Sequence, residues 1–245
     1  MLAIDCERCD GTGFLVEDDG VASVARPCGC RRRPPTPADV VAAGLPRRYL
    51  HCTLDNYRPQ NEGLQQRALS VARAFVEDYP AVGRGILFTG DCGTGKTHLA
   101  AAILRRLMLE QGVSGLFVDA QDLLKRIQGS WSRSGEGESE SRVTGPALEA
   151  EILVLDDLGA SRSTAWAEET LGHLLSVRYN EDRITLVTTN CLALEMDDDP
   201  QAREQLPANR VLLGDRVPER VLSRLHEMCR VVQIEGPDHR RRPAG

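Results

Sequence analysis

The chain has 245 residues, 41% of them apolar, 27% charged and only 4% aromatic, with a formal net charge of −6. That composition suits one core of ordinary domain size plus a small appendage, packed by aliphatic side chains. It excludes nucleic-acid binding through overall positive charge, which leaves local arginine clusters for any such contact, and no apolar run approaches the ~20 residues of a membrane span.

The first residues, Met1 to Cys6, contain no basic segment followed by an apolar one. No secretory leader is expected, and a cytoplasmic location is. Four of the eight cysteines crowd this end as Cys6-x-x-Cys9 and Cys28-x-Cys30. Two close pairs about twenty residues apart have the spacing of a four-thiolate zinc site. Residues 13–16 and 18–21 read as a hairpin with an Asp-Gly turn that brings the pairs together. A segment this short cannot bury a core of its own, so Zn²⁺ would supply its folding free energy and play a structural part. A disulfide or redox dithiol is the competing reading, and the first is disfavoured in a cytosolic chain. Zinc and iron are not distinguished by spacing. The other cysteines, Cys52, Cys92, Cys191 and Cys229, read as packing residues.

The sequence therefore divides into a zinc module at 1–33, a linker at 34–60 opened by the basic, proline-rich stretch Arg31 to Pro37, and a core at 61–245. Residues 38–44 read as a short helix ended by Gly44, and apolar spacing over 62–79 predicts a longer one. Gly85 to Thr89 is a short apolar strand, and a helix is expected over 96–111. Between them Gly90-Asp91-Cys92-Gly93-Thr94-Gly95-Lys96-Thr97 fits G-x-x-x-x-G-K-[ST] in the strand–loop–helix setting that pattern requires. Glycines let successive backbone N–H groups face phosphates, and the helix adds its positive end. Lys96 would reach the β- and γ-phosphates of ATP, and the Thr97 hydroxyl would hold Mg²⁺. Only Lys96 and Lys125 are lysines among 30 basic residues, so a compact ammonium is kept in the loop by a chain that otherwise uses arginine.

A strand over 115–118 and a helix over 120–128 follow, then an aperiodic, mobile loop over 131–142. Ile152 to Leu155 runs into Asp156 and Asp157, the look of a buried parallel strand with carboxylates at its C-terminal end. Asp156 would coordinate Mg²⁺ through water, and Asp157 would polarise the water attacking the γ-phosphate. A helix over 164–180 leads to a strand over 184–190 whose last residue, Asn190, could orient that water. A helix over 218–225 and a strand over 229–234 complete five strands alternating with helices: an α/β fold, a doubly wound parallel sheet of the P-loop NTPase kind.

Together, GDCGTGKTH at Gly90 to His98, LDDLG at Leu155 to Gly159, VTTN at Val187 to Asn190 and ERVLSRL at Glu219 to Leu225 resemble the AAA+ ATPases of the bacterial helicase-loader group, the DnaC and DnaI type. The likeness spans nearly the whole chain, and some members also carry a cysteine module like that of Cys6, Cys9, Cys28 and Cys30. It implies an AAA+ core, ATP contacts through His98 as well as the loop, Asn190 as sensor one, and Arg224 as an arginine finger offered to a neighbour's ATP. Arg240, or adjacent Arg241, would be a second sensor. A finger supplied in trans implies ATP-dependent head-to-tail self-assembly. The implied partners are a replicative DNA helicase and single-stranded DNA, the latter near Lys125, Arg126 and the following loop. Two departures bear on this: Asp157 stands where most AAA+ proteins have Glu, which suits slow, switch-like hydrolysis, and the sequence ends soon after the fifth strand, leaving no full helical lid. A transposition helper ATPase and a weakly hydrolysing, ATP-dependent adaptor share the core motifs.

Overall fold

A computed structural model describes residues 14–18, 23–27, 35–60, 63–131, 140–160, 164–193 and 211–241. The chain forms two compact units, residues 1–36 and 37–245. In the first, β1 (Phe14–Asp18) and β2 (Ser23–Pro27) pair antiparallel, with Phe14 opposite Pro27 and Asp18 opposite Ser23. The expected hairpin is present, with its second strand placed later than 18–21. Cys6, Cys9, Cys28 and Cys30 lie outside the described residues.

The second unit is built on a five-stranded parallel sheet of β3 (Gly85–Thr89), β4 (Gly115–Asp119), β5 (Ile152–Asp156), β6 (Ile184–Thr189) and β7 (Cys229–Gln233), in the order β4-β5-β6-β3-β7. Among the described residues its helices are α1 (Pro37–Ala42), α2 (Leu64–Asp78), α3 (Lys96–Gln111), α4 (Ala120–Trp131), α5 (Glu140–Glu149), α6 (Ala165–Asn180) and α7 (Glu219–Met228). Strands β3 and β5 are buried along their whole length, which is why they read as unbroken apolar runs rather than as alternation. The two-residue strand period still divides the core. Ile86, Phe88, Ile152, Val154 and Leu186 face one cluster with α1, α2 and α3. Leu87, Leu153, Leu155 and Val187 face the other with α4 to α7.

Helix α3 is buried at every position from Leu99 to Leu104, as a helix clamped between sheet and helices must be. It begins at Gly95 and ends on Gly112 (φ 70°), whose N–H bonds the carbonyl of Met108, a left-handed stop open to glycine.

Two expectations are corrected here. Residues 34–60 are not a spacer: from Pro37 on they belong to the second unit, and Val40, Leu45, Leu54 and Tyr57 are buried in its core. The backbone N–H of Phe117 in β4 donates to the carbonyl of Ala43 at 2.7 Å, so this segment covers an edge strand that would otherwise expose its hydrogen-bonding groups. The loop expected over 131–142 also shrinks, because α4 continues to Trp131 and α5 begins at Glu140; residues 132–139 lie outside the described residues. Helix α5 forms around Pro146 because Val143 and Ala147, one turn apart, bury against the second cluster.

One buried group ties these elements together. Arg178 on α6 is fully buried and has no carboxylate partner among the described residues; it donates to the carbonyls of Ala147 (2.9 Å), Ala150 (2.8 Å) and Ile184 (2.5 Å) and to Thr185 Oγ1 (3.0 Å). Burial lowers its pKa to about 10, and the fan of carbonyl dipoles stands in for a counter-ion.

Candidate functional site

Strand order decides what meets at the C-terminal edge of the sheet. Because β3 lies between β6 and β7, with β5 one strand beyond β6, the residues after β3, β5 and β6 converge in the crevice where doubly wound sheets hold ligands. A cleft of about 650 Å³ opens there.

The loop after β3 takes its shape from its glycines. Gly93 (φ 76°) and Gly95 (φ 100°) lie in the left-handed region; a Cβ on Gly95 would stand 2.5 Å from the Tyr57 ring. Only glycine fits both the conformation and the space. Thr94 is buried and its hydroxyl donates to the carbonyl of Asp91 at 2.9 Å. Gly95 gives α3 no side-chain cap, so the first N–H groups of the helix keep the free donors that anions use.

Lys96 is 5% exposed. Its Nζ donates to the carbonyls of Gly90 (2.8 Å) and Asp91 (2.6 Å), and burial pushes its pKa down to about 8, against the opposing charges of Cys92, Asp157 and Asp91. Thr97 Oγ1 donates to Asp156 Oδ1 at 2.9 Å, and Thr188 Oγ1 donates to the same oxygen at 2.6 Å. Burial raises the Asp156 pKa; these two hydrogen bonds oppose the rise, and the charges of Asp157 and Asp119 add to it.

Asp157 takes a left-handed conformation (φ 57°), which aspartate tolerates better than most residues. The bend is held at both ends: its N–H donates to Thr188 Oγ1 (3.0 Å), and its Oδ1 accepts from Asn190 Nδ2 (2.6 Å). The pair expected from two separate strands is therefore in direct contact. Burial first, and Asp119 second, raise the Asp157 pKa.

Of the remaining predicted residues, Cys92, His98 and Arg240 also line the cleft. Cys92 is exposed, which corrects its reading as a packing residue; Cys52, Cys191 and Cys229 are buried as expected. His98 Nε2 donates to the carbonyl of Thr53 at 2.9 Å, and its ring meets Tyr57 edge-on at 5.3 Å, so it fastens the loop from behind. Arg240 is exposed, and the Arg241 side chain is outside the described residues. Arg224 is not brought to this cleft: from α7 its Nη1 donates to Ser176 Oγ on α6 at 2.5 Å.

Several cleft residues had no role in the sequence reading. Tyr57 OH donates to the carbonyl of Thr94 at 3.1 Å, the N–H of His239 donates to the carbonyl of Gly93 at 3.1 Å, and Arg48, Arg58 and Asp119 join the wall. Asp119 alone carried a local signal, since it follows a strand and precedes a helix. The rest arrive from distant segments.

Residues 38–244 match the family described as IstB-like ATP binding protein. Over 179 residues, 73% of this chain, the sequence is 30% identical to the replicative helicase loader DnaC of Escherichia coli (strain K12), and it spans 66% of that relative's length, just under two thirds. A crystal structure of the DnaC helicase loader aligns at 33% identity and a TM-score of 0.64, covering 78% of this chain and all of that one. A DnaI crystal structure, 24% identical with a TM-score of 0.58 over 79% of this chain and 93% of its own, shares the fold. The five-stranded parallel core with its phosphate loop is thus an AAA+ core of the DnaC type, and the chain belongs to the IstB-like ATP-binding family.

Proposed function

We propose that the chain is a replicative helicase loader that binds and slowly hydrolyses ATP. The observation that carries the reading is the meeting on one cleft of Lys96, the Thr97–Asp156 contact and the Asp157–Asn190 contact. Phosphates would be received by the loop N–H groups and the start of α3, with Lys96 exchanging its two carbonyl acceptors for phosphate oxygens. Thr97 Oγ1 and Asp156 Oδ1 are hard oxygen donors of the kind Mg²⁺ takes, so these two residues would hold the ion, Asp156 through water. When bound, Mg²⁺ supplies charge neutralisation on the β- and γ-phosphates. Asp157, its carboxylate fixed by Asn190, would position the attacking water and accept its proton. Arg224, away from this cleft, is available as the finger for a neighbouring copy, and Arg240 at the rim as a second sensor.

The named DnaC relative supports extending this core to replication: ATP-bound protein would assemble, hold single-stranded DNA near Lys125 and Arg126, and deliver the helicase in the cytoplasm. Residues 1–33 would fold around Zn²⁺ held by Cys6, Cys9, Cys28 and Cys30 and dock on the helicase. The spacing of the two cysteine pairs is what supports this. The family match begins at residue 38, so the core by itself is equally that of a transposition helper. A loading assay on circular single-stranded DNA coated with its binding protein separates them. Helicase should appear on the circle only with ATP and wild-type protein, and not with Lys96→Ala. Loading unaffected by Lys96→Ala would refute the ATP-dependent loader. Turnover near zero with DNA and helicase present would replace hydrolysis by an adaptor role.

A further inference from the structure

Two segments that carry no motif hold the phosphate loop from outside. After β7 the chain runs back along the loop: the N–H of Ile234 donates to the carbonyl of Thr89 at 2.8 Å, and the N–H of His239 to the carbonyl of Gly93 at 3.1 Å. The approach is close enough that a Cβ on Gly93 would meet the Asp238 carboxylate. That carboxylate accepts the N–H of Arg240 at 2.9 Å, and His239–Arg241 form a single 3-10 turn.

Gln60 reaches the same turn from the segment before α2. Its Nε2 lies 2.9 Å from Nδ1 and 3.1 Å from Nε2 of the His239 ring, so the amide donates to whichever ring nitrogen carries the lone pair. The N–H of Gln60 donates to Gln65 Oε1 at 2.7 Å, and Gln65 is fully buried at the start of α2. The bridge is therefore anchored in the core at one end and on the loop at the other.

What the bridge holds is the direction of a peptide. In a trans peptide the C=O and the following N–H point to opposite sides. Holding the Gly93 carbonyl outward on His239 turns the Thr94 N–H inward, and the Tyr57 hydroxyl on the Thr94 carbonyl does the same for the Gly95 N–H. Successive inward N–H groups make an anion-binding nest. Glycine-rich backbone loses the most freedom on ordering, so a nest ordered in advance binds phosphate at a smaller entropic cost.

We propose that Gln60 and His239 are positioning residues for nucleotide phosphates, their bridge keeping the Thr94 N–H aimed into the cleft before ligand arrives. This rests on the reading of the cleft as a nucleotide site. The two side chains act as one unit, and that supplies the test.

Gln60→Ala, His239→Ala, the double variant and His239→Gln are compared with wild type. Calorimetry with Mg²⁺ and a non-hydrolysable ATP analogue gives Kd, and NMR gives amide hydrogen exchange of the loop. Either alanine variant should raise Kd about three- to tenfold, the loss of one hydrogen bond or two. The double variant should bind no more weakly than the poorer single one. His239→Gln still offers Gln60 an acceptor and should stay within about twofold of wild type. Without analogue, Thr94 should exchange faster in the alanine variants; at saturation it should match wild type. Losses that add in the double variant, or a Thr94 exchange rate left unaltered, overturn the proposal. A lowered melting temperature with Kd unchanged is a packing role and also overturns it. Absence of calorimetric binding to wild type overturns the cleft reading itself, a separate outcome.

Discussion

Raising the pH should loosen nucleotide binding through Lys96. A free lysine titrates near 10.4, but burial beneath the phosphate loop lowers Lys96 to about 8. Phosphate oxygens arriving at Nζ would favour the charged form and raise the pKa again. The folded, unliganded state therefore releases this proton earlier than the bound state does. Affinity should be full below about pH 8 and fall above it, with binding taking up a proton in that window. Between pH 8 and 9 Kd should rise about fivefold, about 1 kcal/mol. Calorimetry with Mg²⁺ and an ATP analogue in two buffers of different ionisation enthalpy measures both the affinity and the protons. Cys92→Ser serves as a control for the exposed thiol in the same loop. A Kd in wild type that is flat from pH 7 to about 9.5, with no proton uptake, would show that Lys96 keeps its charge through this range.

Other perturbations follow from particular contacts. Arg178→Ala would leave the carbonyls of Ala147, Ala150 and Ile184 buried without a donor and should cost about 3–5 kcal/mol in urea unfolding; a loss below about 1 kcal/mol would show that the fan of bonds carries little stability. Tyr57→Phe keeps the ring against Gly95 but removes the bond to the Thr94 carbonyl, so KM for ATP should rise about two- to tenfold with kcat little changed. A kcat loss with KM constant would place Tyr57 in the chemical step instead. If residues 1–33 hold zinc, purified protein should release about one Zn²⁺ per chain on thiol modification, and Cys6→Ser with Cys9→Ser should abolish it. Mixing Arg224→Ala with Asp157→Asn protein should restore turnover if Arg224 serves a neighbour's site, because each would supply what the other lacks; no recovery would keep Arg224 in its contact with Ser176.

The parts of the fold legible in the sequence are those where one physical rule dominates. Strands β3 and β5 are buried on both faces and so appear as apolar runs, and the glycine loop and paired aspartates follow them at fixed distance. The span of α3 was readable because Gly95 and Gly112 bracket an uninterrupted helical stretch. The segment over 37–60 was not, since Val40, Leu45, Leu54 and Tyr57 follow no period and prolines punctuate them. Its burial is decided by the open edge of β4, a tertiary fact. Gly145 and Pro146 likewise masked α5, which packing sustains against local preference. At the site, the motifs pointed to Asp157 and Asn190, but their contact depends on β5 and β6 being neighbours. Tyr57 and His239 reach the cleft by chain return, which no local pattern records; Asp119 had its place between strand and helix, but only the pairing of β4 with β5 sets it beside Asp156.

Whether the ATP-binding core loads a replicative helicase, as proposed, is decided by light scattering on the protein mixed with the replicative helicase of the same organism, with and without Mg²⁺ and ATP. A stable complex heavier than the helicase alone is expected, lost when residues 1–33 are removed while the core still binds ATP. Failure to form any complex under either condition would contradict the loader assignment, leave the ATP-binding core intact, and favour the transposition helper.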